Sequence, residues 1–295
     1  MTQDNTPHFF DAHTHVQFSG YDADRDAVIR RAFDADVRMV NVGTQRDTSR
    51  AAVELAHEHP GELYAAIGLH PIHTSKSYHD EDELGGPDAG SAAKAFNSRG
   101  EEFDMDYYRE LARDPATVAI GECGLDYFHF NDDEPREAQI EKQKAALLAQ
   151  INLSIEVGKP LMVHCRNAFA DLIEFLNPHA DELTPGIIHF FTGTPDDARR
   201  LLDLGFSFAF GGAVTFPPRK GMSQGDYDEA IKLIPIENIL SETDAPYVAP
   251  VPFRGQKNEP AYVVHTVARL AELKGVSAEE MKARIWANAK RIFWI

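Results

Sequence analysis

A chain of 295 residues, 43% hydrophobic and 26% charged, can bury a substantial core as one large domain or two ordinary ones. A formal net charge of −18 excludes a broad basic face for nucleic acid or anionic lipid, so an anionic substrate must be held by a local positive site. Two cysteines exclude a disulfide framework; with no basic or apolar leader and no run long enough for a bilayer, the reading is a cytoplasmic chain with no membrane and no obligate protein partner.

Residues 8–11 read as a first strand and 21–34 as a helix, with Val28, Ile29, Ala32 and Phe33 on one side. Residues 37–42 are strand-like, 48–59 helical, and 63–67 a third strand. The stretch 75–103, with Gly85-Gly86-Pro87 and several acids, has little to bury and reads as a polar insertion. Residues 105–113 return to helix and 116–123 make the fourth strand. A long helix, 134–157, ends at Gly158; strand five is 161–164, with a helix at 168–176. Residues 186–191, 206–210 and 237–241 supply strands six to eight, with a helix at 196–204. Two helices close the chain, the last at 278–293.

Eight strands alternating with helices, and no linker, argue for an α/β fold: a distorted (β/α)8 TIM barrel as a single domain over residues 1–295. A doubly wound sheet is the alternative, but it calls for a glycine-rich phosphate turn after strand one, which is absent.

In such a barrel the active site lies at the C-terminal strand ends. Those ends carry His13 and His15, His70, Glu122, His164, His189 and Asp244. His13 and His15 are two apart on a strand and point to one side. Glu122 follows the apolar run Val118-Ala119-Ile120, and a carboxylate there needs a cation. We read it as a ligand shared by two divalent ions, with His164 and His189 on one, and His13, His15 and Asp244 on the other. Asp244 has a second candidate task, to orient or deprotonate a water. Mixed imidazole and carboxylate donors suit zinc, manganese, iron or cobalt, and magnesium less well. The resulting positive charge would hold a phosphoester in an acidic protein.

His70, Arg166, Arg254, Lys257 and Asn258 are candidate substrate contacts, since arginine forks in particular suit phosphate. Asp126 is expected to fix the turn that aims Glu122, and Cys123 and Cys165 to be core thiols. Asn258-Glu259-Pro260 is similar to the acid/base tripeptide of some barrel glycosidases, but it stands before the penultimate helix and not at the end of strand four. Glu259 reads as a first-turn helix residue that helps fix the loop.

In order, the chain carries Asp-Ala-His-Thr-His, Gly-Leu-His-Pro, Gly-Glu-Cys-Gly-Leu-Asp-Tyr, Val-His-Cys-Arg, His-Phe-Phe-Thr-Gly and Glu-Thr-Asp-Ala-Pro-Tyr. Arg-Gly-Gln-Lys-Asn-Glu-Pro and a terminal Asn288-x-x-Arg291-x-Phe293 follow. From residue 9 to residue 293 this set resembles the TatD family of metal-dependent deoxyribonucleases, within the amidohydrolase-like superfamily. The resemblance implies a dinuclear divalent-metal site that hydrolyses phosphodiesters in DNA or short oligonucleotide ends. It places His13, His15, Glu122 and Asp244 on one metal, and Glu122, His164 and His189 on the other, with Asp244 and Glu122 carrying the catalysis. The 75–103 stretch is longer than the usual family connection, and His-Phe-Phe replaces the more usual His-Cys-Phe. An amidohydrolase acting on a C–N or carboxyl-ester bond is the alternative, although many such enzymes have a modified lysine where Glu122 stands. A non-catalytic metal-binding scaffold is the third reading.

Overall fold

The computed structural model describes residues 6–79, 96–217 and 224–295. The apolar runs form parallel strands, and most of their side chains are buried because helices cover the outer face of the sheet. The first three are β1 (Phe9–Thr14), β2 (Val37–Val42) and β3 (Leu63–Ile67). A short antiparallel pair, β4 (Lys76–His79) and β5 (Phe96–Arg99), marks the two ends of the polar stretch, most of which lies outside the described residues. The barrel resumes with β6 (Thr117–Asp126), β7 (Leu161–Arg166), β8 (Ile187–Ile188), β9 (Ser207–Phe210) and β10 (Ile239–Ser241).

The sheet order is β1-β2-β3-β6-β7-β8-β9-β10, parallel throughout, which is the order of a (β/α)8 TIM barrel. The seam between β10 and β1 is closed mainly by the residues after each strand. His15 N–H donates to the Ala245 carbonyl and Asp244 N–H to the His13 carbonyl, both at 2.8 Å. Ser241 Oγ donates to the Phe10 carbonyl at 2.7 Å.

Outside the strands lie α1 (Arg25–Asp34), α2 (Arg46–Glu58), α3 (Met105–Ala112), α4 (Arg136–Val157) and α5 (Phe169–Leu176). They are followed by α6 (Pro195–Asp203), α7 (Gln224–Leu233), α8 (Val263–Lys274) and α9 (Ala278–Phe293). Helix α4 stops at Gly158, whose φ of 68° is left-handed. Helix α6 starts on a Thr194–Asp197 capping box with Pro195 in its first turn. Helix α9 lies against β1, where the Phe10 ring meets Trp286 and Phe293. No helix among the described residues is long and apolar enough to cross a membrane.

Three local expectations change. The first helix begins at Arg25, because Ser19–Tyr21 forms a 3-10 turn. Strand six is only Ile187–Ile188: Phe190 is left-handed at φ 46°, and its N–H is taken by the Glu242 carboxylate at 2.6 Å instead of a neighbouring strand. Helix α7 stands between strands seven and eight, where no helix was read from the sequence.

Candidate metal centre

Glu122 sits in the C-terminal half of β6, and its side chain is buried. Close approach of β6 and β7 at this level depends on Gly124, where an added Cβ would lie 1.9 Å from the His164 carbonyl oxygen. Five imidazoles then converge on one carboxylate. Oε2 of Glu122 faces His13 Nε2 at 3.3 Å and His15 Nε2 at 3.9 Å. Oε1 faces His70 Nε2 at 3.2 Å, His164 Nδ1 at 3.1 Å and His189 Nε2 at 3.1 Å. Asp244 Oδ1 closes the first group, 3.4 Å from His15 Nε2 and 3.8 Å from His13 Nε2.

These separations fit donor atoms arranged around a cation. Metal–ligand bonds of about 2.0–2.1 Å place tetrahedral donors roughly 3.3 Å apart. His13 Nε2 and His15 Nε2 are 3.1 Å apart. His15 donates its Nδ1 proton to the Val42 carbonyl at 2.7 Å, so its Nε2 presents a lone pair toward the centre. His13 Nδ1 is buried without a hydrogen-bond partner. One proton on His13 Nε2 cannot satisfy both His15 and Glu122, whereas a cation can satisfy all three.

The imidazoles on the other side are backed by carboxylates. His164 Nε2 hydrogen-bonds Asp126 Oδ2 at 3.1 Å, whereas His189 Nδ1 and Glu242 Oε2, 3.4 Å apart, form an ion pair with no hydrogen bond. The rings of His13 and His189 stack at 3.7 Å. His70 differs from its neighbours. Its Nδ1 accepts the Ile72 N–H at 3.2 Å, which puts its proton on Nε2 and makes that atom a donor. His70, Glu122 and His164 are close enough to hold an ion, as are His13, His189 and Glu242, but its tautomer makes His70 a hydrogen-bond donor at Nε2 and not a ligand there.

The electrostatics divide the same way. Burial, with His189 nearby, lowers His13 to about 3, and burial lowers His70 to about 4. Burial also opposes protonation of His164 and His189, yet both are raised, His164 by Asp126 and Glu122, His189 by Glu242 and Glu122. Burial alone would raise Glu122; the imidazoles of His70, His189 and His13 hold it well below the usual range. Asp244 is lowered by His15, His189 and His13 despite its burial. Glu242 is raised, chiefly by burial.

The structure thus brings together His13, His15, His70, Glu122, His164, His189 and Asp244. Arg166 stands beside them, its guanidinium 3.4 Å from His129 Nε2. Arg254 lies over the Phe216 ring, 4.4 Å from its centroid. Two expectations on the same loop are corrected. Lys257 is bound to Asp24 at 2.6 Å and packs on the Tyr21 ring, so its charge serves the fold. Asn258 is fully buried, donating to the Thr243 and Tyr247 carbonyls and accepting from Glu259 N–H, which leaves no side-chain group for a substrate. Glu259 grips Arg31 with two 2.7 Å bonds and ties this loop to α1. Cys123 and Cys165 are buried free thiols, raised by burial.

Sequence reasoning missed Glu242 and Asp11. Glu242 ends the buried run Ile239-Leu240-Ser241, the same signal that singled out Glu122. Asp11 accepts from Thr243 N–H at 2.8 Å and from Thr243 Oγ1 at 2.5 Å, which fixes the residue before Asp244. Asp126 does hold its turn, accepting the N–H groups of Phe128 and His129, but it also orients His164.

A (β/α)8 barrel whose mouth gathers imidazoles around a shared carboxylate is the build of a metal-dependent hydrolase. A family model described as TatD related DNase matches residues 10–294, and the chain belongs to that family. The chain is 37% identical over 287 residues to the "Uncharacterized metal-dependent hydrolase YabD" of Bacillus subtilis, covering 97% of this chain and 99% of that protein. It is 34% identical over 289 residues to the "3'-5' ssDNA/RNA exonuclease TatD" of Pantoea vagans, with 96% and 98% covered. Among solved structures, the TatD homolog YJJV of Escherichia coli K12 superimposes with a TM-score of 0.78 at 28% identity, covering 97% of this chain and 98% of that one.

Proposed function

We propose that this barrel, one domain over residues 1–295 acting in the cytoplasm, hydrolyses phosphodiester bonds at the ends of single-stranded DNA or RNA. Two divalent ions would be held there, one by His13, His15, Glu122 Oε2 and Asp244, the other by Glu122 Oε1, His164 and His189. The observation that carries this reading is the division of the Glu122 carboxylate, one oxygen toward each set of imidazoles. The relative from Pantoea vagans, named as a 3'-5' ssDNA/RNA exonuclease, supports the substrate class.

When bound, two such ions polarise a phosphoryl oxygen and acidify a water to near neutral pH. The protein's own groups do the rest. Asp244, held ionised by its neighbouring imidazoles, accepts the proton of the attacking water. The Nε2–H of His70 donates to a non-bridging phosphoryl oxygen. Arg166 supplies a fork for a phosphate at the mouth. Val42 and Asp126 hold the rings of His15 and His164 in their orientations, and Glu242 places a carboxylate behind His189.

Metal analysis, joined to a panel of DNA and RNA oligonucleotides and small lactones, tests the reading on wild type and Glu122→Ala. Expected are two metal equivalents, cleavage of single strands, and loss of both in the variant. Intact oligonucleotides, or a Glu122→Ala protein that keeps both ions, would overturn it, and lactone turnover above that of phosphodiesters would favour the amidohydrolase reading.

A further inference from the structure

Phe128 stands two residues beyond the strand that carries Glu122, and 53% of its surface is exposed. Its position is nonetheless fixed. Its N–H donates to Asp126 Oδ1 at 2.8 Å, and the next N–H, of His129, donates to the same oxygen at 2.9 Å. The Arg166 guanidinium covers part of the ring, 3.8 Å from its centroid. Arg166 is two residues beyond His164 on β7, so alternation points both side chains to the same face.

A short chain of contacts locks this pair to the metal centre. Arg166 Nη1 lies 3.4 Å from His129 Nε2, and His129 Nδ1 lies 2.7 Å from Asp126 Oδ2. A guanidinium only donates, so His129 Nε2 accepts and its Nδ1–H goes to Asp126. The same Oδ2 meets His164 Nε2 at 3.1 Å. Among the described residues no carboxylate forms an ion pair with Arg166. A half-buried arginine without an ion pair, in a chain of net charge −18, is a place for a phosphate. An exposed ring fixed beside it is a place for a base, because base–aromatic stacking needs only a π face.

We propose that Phe128 and Arg166 form a nucleotide subsite, the ring stacking one base and the guanidinium pairing its phosphate, with His129 as the positioning residue. The proposal rests on the nuclease reading and gives its preference for single strands a physical cause. A base paired and stacked within a duplex cannot offer its face to Phe128, whereas an unpaired terminal base can. The ring contacts no particular base edge, so the subsite is indifferent to sequence.

The test is a cycle between ring and base. The full-length, manganese-supplemented protein is titrated into fluorescein-labelled dT6 with hydrolysis-resistant phosphorothioate linkages, and into its abasic counterpart, and Kd is read by anisotropy. Phe128→Ala is expected to weaken dT6 binding at least about fivefold, the lower end for loss of one stacked base. It should change abasic binding far less, and Phe128→Trp should restore dT6 binding. Equal losses on both oligomers, or no loss on either, would overturn the subsite. A wild type that cleaves unmodified single strands but shows no ring–base coupling removes only the subsite. A wild type that neither binds nor cleaves them removes the nuclease reading and the subsite together.

Discussion

The two oxygens of Glu122 face differently built surroundings. On the Oε2 side, His15 is held by a backbone carbonyl and His13 Nδ1 has no partner, while Asp244 contributes the second carboxylate directly. On the Oε1 side a buried carboxylate stands behind each imidazole, but only Asp126 hydrogen-bonds its ring, that of His164; Glu242 faces His189 Nδ1 at 3.4 Å without a hydrogen bond. A carboxylate behind an imidazole makes its other nitrogen a stronger donor and fixes the ring. In the two-ion reading proposed above, the Oε1 side would hold its ion the more tightly, and the Oε2 side, with Asp244, would be the more exchangeable.

The largest effect is expected at Glu122 itself. Glu122→Ala should lower metal occupancy on both sides and cleavage by more than the roughly 100-fold typical of losing an outer partner. Retained occupancy on either side, read by metal analysis, would show that the two sides are not joined through this residue. Asp126→Asn and Glu242→Gln come next. Each should weaken metal affinity by about 10–100-fold, in calorimetric titration, on the Oε1 side only. Equal weakening of both sides would erase the distinction.

Metal removal is third. A chelator titration should release two ions in sequence, the Oε2-side ion first, with the melting temperature falling mainly at the second step. An ion present at 100 times its Kd adds about 2.7 kcal/mol of stability. Simultaneous release would refute the ordering. The smallest effect is a control remote from both sides. Asp36 bonds His8 and Lys282, which lower its pKa against the opposing effect of burial. Its stabilisation is present above the unfolded carboxylate pKa and is lost as pH falls through the lowered folded value. For so exposed a carboxylate this is under about 1 kcal/mol. Asp36→Asn should flatten the acid limb of stability, followed by chemical denaturation, without altering metal release.

Periodicity made the barrel legible because parallel strands covered on both faces read as unbroken apolar runs, as in residues 118–120 and 161–163. The convergent groups were legible because a charge or imidazole ending such a run stands out. Glu242 obeys the same rule, but it shares its strand end with Asp244, and two carboxylates in one motif do not show by themselves which faces the centre. The status of Asn258 and Lys257 was not legible. Both lie in a polar loop, and only the folded chain shows that the amide is used up inside the loop and that Asp24 neutralises the ammonium. Helix α7 escaped because residues 224–233 carry a weak apolar pattern and packing supplies what propensity does not.

The grip of Asp11 on Thr243 joins residues 232 positions apart. His13 lies on the first strand of the barrel and Asp244 follows the last, so the two meet only once that last strand has docked against the first. Loop closure over such a separation must be completed before the contact rewards it, which makes assembly of this side of the cluster a cost in folding rate and not in local stability.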